Sequence, residues 1–150
     1  MGEYESELEK TSEGLRQGCP LSPTLFCLYI SELEQRLLGS KKGFKIRVNK
    51  NIFCPRNEQH LAIPGLMFAD DIVLLSQSWR QMKQLLQITS EFGDERNMLF
   101  NPKKSAVIEF SQSIMENQIE LKIQEKTLPT VNEYKYLGIW LSNRENYLDT

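Results

Sequence analysis

Asp70 and Asp71 stand side by side between two short apolar runs, Leu66-Met67-Phe68-Ala69 and Ile72-Val73-Leu74-Leu75. Apolar runs of that length broken by a polar pair read as a hairpin whose turn carries the acids. Two like charges about 4 Å apart repel by roughly 4 kcal/mol at an effective dielectric near 20. A divalent cation relieves that cost. In two-metal phosphoryl transfer, carboxylates hold a pair of ions roughly 3.5–4 Å apart that bind the attacking and leaving oxygens. Asp-Asp is also a common solvent-facing turn, so the dipeptide by itself serves either use.

A second candidate is the stretch from Gly14 to Pro23, dense in Gly and Pro and running straight into a helical repeat. Its glycines let backbone approach a ligand closely. Ser22 can cap the helix and Pro23 suits its first turn; an ordinary capped loop has the same features. From Gly39 to Asn57 there are six bases (Lys41, Lys42, Lys45, Arg47, Lys50, Arg56) and no acid. Such a run is either a solvated loop face or a phosphate-contacting surface. Trp79 and Trp140 can pack or stack on bases. Cys54 and the only histidine, His60, are two ligands, too few to close a zinc site.

The elements that must position these residues follow from periodicity. Leu21, Leu25, Tyr29, Leu33 and Leu37 recur at every fourth position and predict a helix over 21–38, stopped at Gly39. Phe44, Ile46 and Val48 alternate with polar residues as in a half-buried strand, and a loop with Pro55 and Asn57 follows. Ser78 caps a second helix with an apolar face of Trp79, Met82, Leu85, Leu86 and Phe92. Asn101-Pro102 is a turn. Strands are predicted over 106–110, at Ile119, Leu121 and Ile123, and over 136–141. Helix, strands, helix, strands gives an α+β fold, an antiparallel sheet with two helices packed on one face.

Composition bounds the rest. With 150 residues, 40% hydrophobic and 25% charged, the chain fits one packed domain and no fibre, disordered tail or disulfide-framework miniprotein. Eighteen bases against twenty acids give a net charge of −2, so nucleic-acid binding has to rest on a local patch. Five glutamates and one lysine in residues 1–13 make a polar N-terminal segment. Three cysteines without CxxC spacing suit a reducing compartment. No signal peptide is expected, and no apolar stretch approaches the ~18 residues that span a bilayer.

Four segments in order carry a family resemblance. GLRQGCPLSPTLFCLYI (14–30), Phe68-Ala69-Asp70-Asp71, Asn101-Pro102-Lys103-Lys104-Ser105 and Tyr134-Lys135-Tyr136-Leu137-Gly138-Ile139 resemble motifs of the reverse transcriptases of non-LTR (LINE-type) retrotransposons. The resemblance spans 14–141 and implies an incomplete polymerase palm, with 142–150 as a C-terminal tail. It implies RNA-directed DNA synthesis with Mg²⁺ (or Mn²⁺), on an RNA template, a DNA primer and deoxynucleoside triphosphates, in the nucleus.

By the same resemblance, Asp70 and Asp71 hold metal and are catalytic with Lys104, which neutralises or protonates departing pyrophosphate; Lys103 is its fallback. Arg16, Gln17 and Gly18, with Phe68 and Ala69, lie by template and nucleotide, and Tyr136, Leu137 and Gly138 line the primer end. Tyr134 and Tyr136 also fit simple strand packing. The family's third aspartate lies upstream of the Gln-Gly loop, and residues 1–13 contain no aspartate. The 150 residues alone are therefore expected to need the missing polymerase regions of the parent protein for activity. The rival readings are a non-catalytic retroelement remnant that at most binds nucleic acid, and a group II intron-type maturase.

Overall fold

The computed structural model describes residues 18–49, 58–110 and 119–144. Its first helix, α1 (Ser22–Gly39), has Leu21 at the N-cap, and Ser22 is the first helical residue rather than the cap. The expected four-residue stripe holds only near the C-terminal end. Leu33 and Leu37 are buried, whereas Leu21 and Leu25 are exposed. Strict four-residue steps drift roughly 40° each around a 3.6-residue helix. The face that packs is instead Phe26, Ile30, Leu33 and Leu37, spaced four, three and four.

Helix α2 (Trp79–Glu95) is the hub. Ser78 caps it, its hydroxyl oxygen accepting from the Gln81 amide at 3.3 Å, as the sequence predicts. One side, Leu85, Ile88 and Phe92, packs on α1; the other, Met82, Leu86 and Trp79, packs on Leu121, Ile123 and Leu128. Leu74 and Phe100 touch both clusters and join them. At the open end of the helix pair, Arg36 donates to Glu32 and Glu95 at 2.6 Å each, and Arg96 pairs with Glu32. The hydrogen bond from Arg36 holds the Glu95 carboxyl below the usual carboxylate range. The contribution of this bridge is thus present at neutral pH and fades as pH falls through that lowered value.

The strands form hairpins, not one sheet. Among the described residues there are four two-stranded antiparallel pairs: β1 (Phe44–Asn49) with β2 (Glu58–Ile63), β3 (Gly65–Phe68) with β4 (Asp71–Leu74), β5 (Lys122–Ile123) with β6 (Lys126–Thr127), and β7 (Glu133–Tyr136) with β8 (Ile139–Ser142). β2 falls where the sequence reading has only a loop. The strand expected over 106–110 is a single parallel bridge, Val107 to Thr130. Its partner segment contains Pro129, which has no N–H to extend a ladder. Of the strand expected over Ile119, Leu121 and Ile123 only Lys122–Ile123 forms, and two left-handed residues, Gln124 and Glu125, turn it straight into β6. Leu137 and Gly138, at φ 47° and 85°, turn the strand expected over 136–141 back on itself. Successive positive φ values favour a two-residue hairpin.

Gln124 staples this assembly. Its side-chain amide donates to Asp94 and to the Met98 carbonyl, both at 2.8 Å, and accepts from the Phe100 amide at 2.9 Å. Its own amide donates to the Ser90 hydroxyl at 2.9 Å. The fit depends on Gly93, where a Cβ would stand 2.8 Å from the Gln124 amide nitrogen, the Met98 carbonyl oxygen and the Phe100 ring. Alanine ordinarily favours a helix interior by about 1 kcal/mol over glycine. Here overpacking reverses the sign, and Gly93→Ala is expected to cost about 1–3 kcal/mol. Urea denaturation of the two proteins measures it; a stabilised variant overturns the argument.

Candidate functional site

Hairpin β3–β4 is anchored by one face and offers the other. Met67, Ile72 and Leu74 pack into the α1–α2 core. The opposite face carries Leu66 across from Val73 and Phe68 across from Asp71, with Phe68 64% exposed. The connection is Ala69-Asp70, so Asp70 lies in the turn while Asp71 is the first residue of β4. Both acids are exposed. The expected like-charge cost is therefore reduced, since repulsion between water-exposed charges at 4 Å is only about 1 kcal/mol. Ala69 sits at φ 52°, which costs a non-glycine residue roughly 1–2 kcal/mol.

These two carboxylates are hard oxygen donors of the kind Mg²⁺ and Mn²⁺ accept. Their chemistry and exposure fit one such ion. Among the described residues no group of three or more His, Cys, Asp or Glu side chains converges on a metal position. A two-ion centre needs additional donors.

A second grouping forms around the turn at 101–105. The Asn101 side chain accepts from the Lys103 amide at 3.0 Å and the Ser105 hydroxyl donates to the Asn101 carbonyl at 2.9 Å. This holds Pro102–Lys104 as one 3-10 turn with both lysines exposed. The Tyr134 hydroxyl donates to the Lys104 carbonyl. The lysine turn and the β7–β8 hairpin are thereby tied together, which no sequence motif signals. Tyr134 and Tyr136 are half-buried, and Leu137 and Gly138 form the exposed tip. Trp79 packs in the core and donates to Glu109 at 3.0 Å. Trp140 departs from the packing expectation: it is 60% exposed, with the Lys135 ammonium 5.9 Å from its ring centre.

Gly18 is exposed at φ 83° ahead of α1. Arg16 and Gln17 lie outside the described residues, as do Lys50, Cys54 and Arg56. The structure thus brings Phe68, Ala69, Asp70 and Asp71 together on one hairpin, and Lys104 together with the hairpin of Tyr136, Leu137 and Gly138. No described helix is long and apolar enough to cross a membrane.

Residues 2–141 match the family profile described as Reverse transcriptase (RNA-dependent DNA polymerase). The chain belongs to this reverse transcriptase family. Its curated relatives place it more narrowly, with the non-LTR elements that the motifs resemble. It is 30% identical over 137 residues to the Retrovirus-related Pol polyprotein from type-1 retrotransposable element R2 of Popillia japonica, a match covering 87% of this chain and 21% of that protein. It is 28% identical over 139 residues to the polyprotein of the same description from Nasonia vitripennis, covering 87% of this chain and 12% of the relative. It is 28% identical over 148 residues to the Retrovirus-related Pol polyprotein from type-2 retrotransposable element R2DM of Drosophila melanogaster, covering 91% and 12%. The chain thus spans about a fifth or less of these relatives' lengths. No solved structure gives a significant match.

Proposed function

We propose that this chain is the later part of a polymerase palm, which in a complete protein copies the RNA of a non-LTR retrotransposon into DNA in the nucleus. One observation carries the reading: two adjacent carboxylates are displayed to solvent at the tip of a hairpin whose inner face is fixed in the core. That combination anchors the backbone that bears the reactive groups, as preorganised catalysis requires. Asp70 and Asp71 would hold the divalent cation, which when bound offsets negative charge on the phosphates in transfer. Nucleotidyl transfer joins the primer 3′ oxygen to the nucleotide's α-phosphorus and releases pyrophosphate. Lys104, on its braced turn, offsets the charge of that leaving group or gives it a proton.

Tyr136, Leu137 and Gly138 support the primer end, and the Tyr134–Lys104 hydrogen bond couples that support to the lysine. Arg16, Gln17 and Gly18, with Phe68 and Ala69, face template and nucleotide. A Mn²⁺ titration of the ¹⁵N-labelled chain tests the acid pair without requiring turnover. Paramagnetic broadening is expected to centre on the amides of 68–72 and to vanish in Asp70→Asn/Asp71→Asn. Broadening centred elsewhere, or equal in the double variant, removes the acids from metal binding.

A further inference from the structure

We propose that hairpin β1–β2 is a separate nucleic-acid contact that grips the phosphate backbone through its basic face, without reading sequence. Its identity as a nucleic-acid rather than another polyanion surface rests on the polymerase reading above. The register places Arg47 opposite His60 and Lys45 opposite Ala62, so Lys45, Arg47 and His60 share one face. All three are exposed. The other face pairs Phe44 with Ile63, Ile46 with Leu61 and Val48 with Gln59, so it carries no charge and is mostly apolar. Lys41, also exposed, leads into the strand, and Glu58, opposite Asn49, ends the basic run.

Charge segregation separates this face from an ordinary solvated one. Six of the chain's eighteen bases fall within 39–57 with no acid, leaving twelve bases against twenty acids in the rest of the sequence; of the six, Lys41, Lys42, Lys45 and Arg47 lie on β1 or lead into it. A polyanion is therefore repelled by the rest of the surface and attracted here. Lys45 and Arg47 are two residues apart on one strand, roughly 7 Å, on the order of the distance between neighbouring phosphates of one nucleic-acid strand. From His60 the chain runs through β2, Pro64 and β3 to Asp70. Those ten residues span at most about 36 Å, on the order of one turn of duplex. A duplex seated at the aspartate hairpin is thus within reach of this face.

The test is fluorescence anisotropy of labelled 30-nucleotide RNA and DNA duplexes with the full 150-residue chain, in EDTA. Lys41→Glu/Lys45→Glu is expected to weaken both at least tenfold and to reduce the salt slope by about two. Arg80→Glu/Lys83→Glu, an equal charge change on the exposed side of α2, is expected to stay within threefold of wild type. Should the reversed hairpin fail to fold by circular dichroism, Lys45→Gln/Arg47→Gln supplies the reading, with a loss of at least threefold. EDTA removes any ion from the aspartate hairpin, which keeps this result apart from the fate of the metal reading. Equal affinity of wild type and hairpin variants overturns the proposal, as does equal loss in the α2 control. Binding to anionic phospholipid vesicles with none to either duplex assigns the face to membranes instead and equally overturns it. Selective loss on only the RNA or only the DNA arm supports the contact and names its strand type.

Discussion

Replacing Asp70 with asparagine, in a polymerase-length protein carrying these residues, is expected to slow DNA synthesis at least a thousandfold while leaving the fold intact. A thousandfold corresponds to about 4 kcal/mol of transition-state stabilisation. That is the scale of removing one preorganised charge from a reaction whose catalysis is mostly positioning and electrostatics. The substitution keeps the side chain's shape and takes away its charge. Because Asp70 is exposed in a two-residue connection, the folded state should shift by no more than about 0.5 kcal/mol. Asp71→Asn is expected to cost less, since that residue starts β4 and stands beside Phe68 rather than in the turn. Single-turnover nucleotide incorporation measures both. A rate for Asp70→Asn above a tenth of wild type removes this carboxylate from the reaction, and an unchanged melting temperature shows that any loss is chemical.

The parts of this architecture that were legible in the sequence are those written by local rules. The α2 apolar positions Trp79, Met82, Leu85, Leu86 and Phe92 all lie in the two core clusters or packed on them. Ser78 caps where a capping residue is needed. The acid-bearing hairpin formed where two apolar runs met a polar pair, with the turn one residue earlier than the acids alone indicate. What was not legible depended on partners distant in sequence. The single bridge at Val107 depends on Pro129, and the staple at Gln124 depends on the amide of Phe100 and the bare backbone of Gly93. Turn chemistry at Leu137-Gly138 was in reach, because glycine after a strand marks a left-handed position, but the alternating apolar residues read as continuous. The acid pair's exposure could not be read from composition at all, since the hairpin has one buried and one open face and only the register decides which holds Asp71.

Phe92→Ala is expected to remove about 3–5 kcal/mol of stability, a large share of the 5–15 kcal/mol that a domain has in total. Phe92 is fully buried. It lies among Leu33, Leu37 and Leu85, meets the Tyr29 ring edge-on at 5.9 Å, and carries the Arg36 guanidinium 5.6 Å above its face. Truncation therefore opens a cavity in the seam between the helices and also strips the aromatic surface on which Tyr29 and Arg36 rest. The consequence reaches the candidate site through Met67, Ile72 and Leu74, whose packing against this cluster fixes the aspartate hairpin. Phe92→Leu, which keeps most of the volume, is expected to cost less than half as much, and Leu99→Ala, at a side chain 85% exposed, within about 0.5 kcal/mol of zero. Guanidinium denaturation followed by Trp fluorescence gives the three values. A loss under 1.5 kcal/mol for Phe92→Ala, or one no larger than for Leu99→Ala, means that the α1–α2 seam does not hold the hairpin and that its order comes from elsewhere.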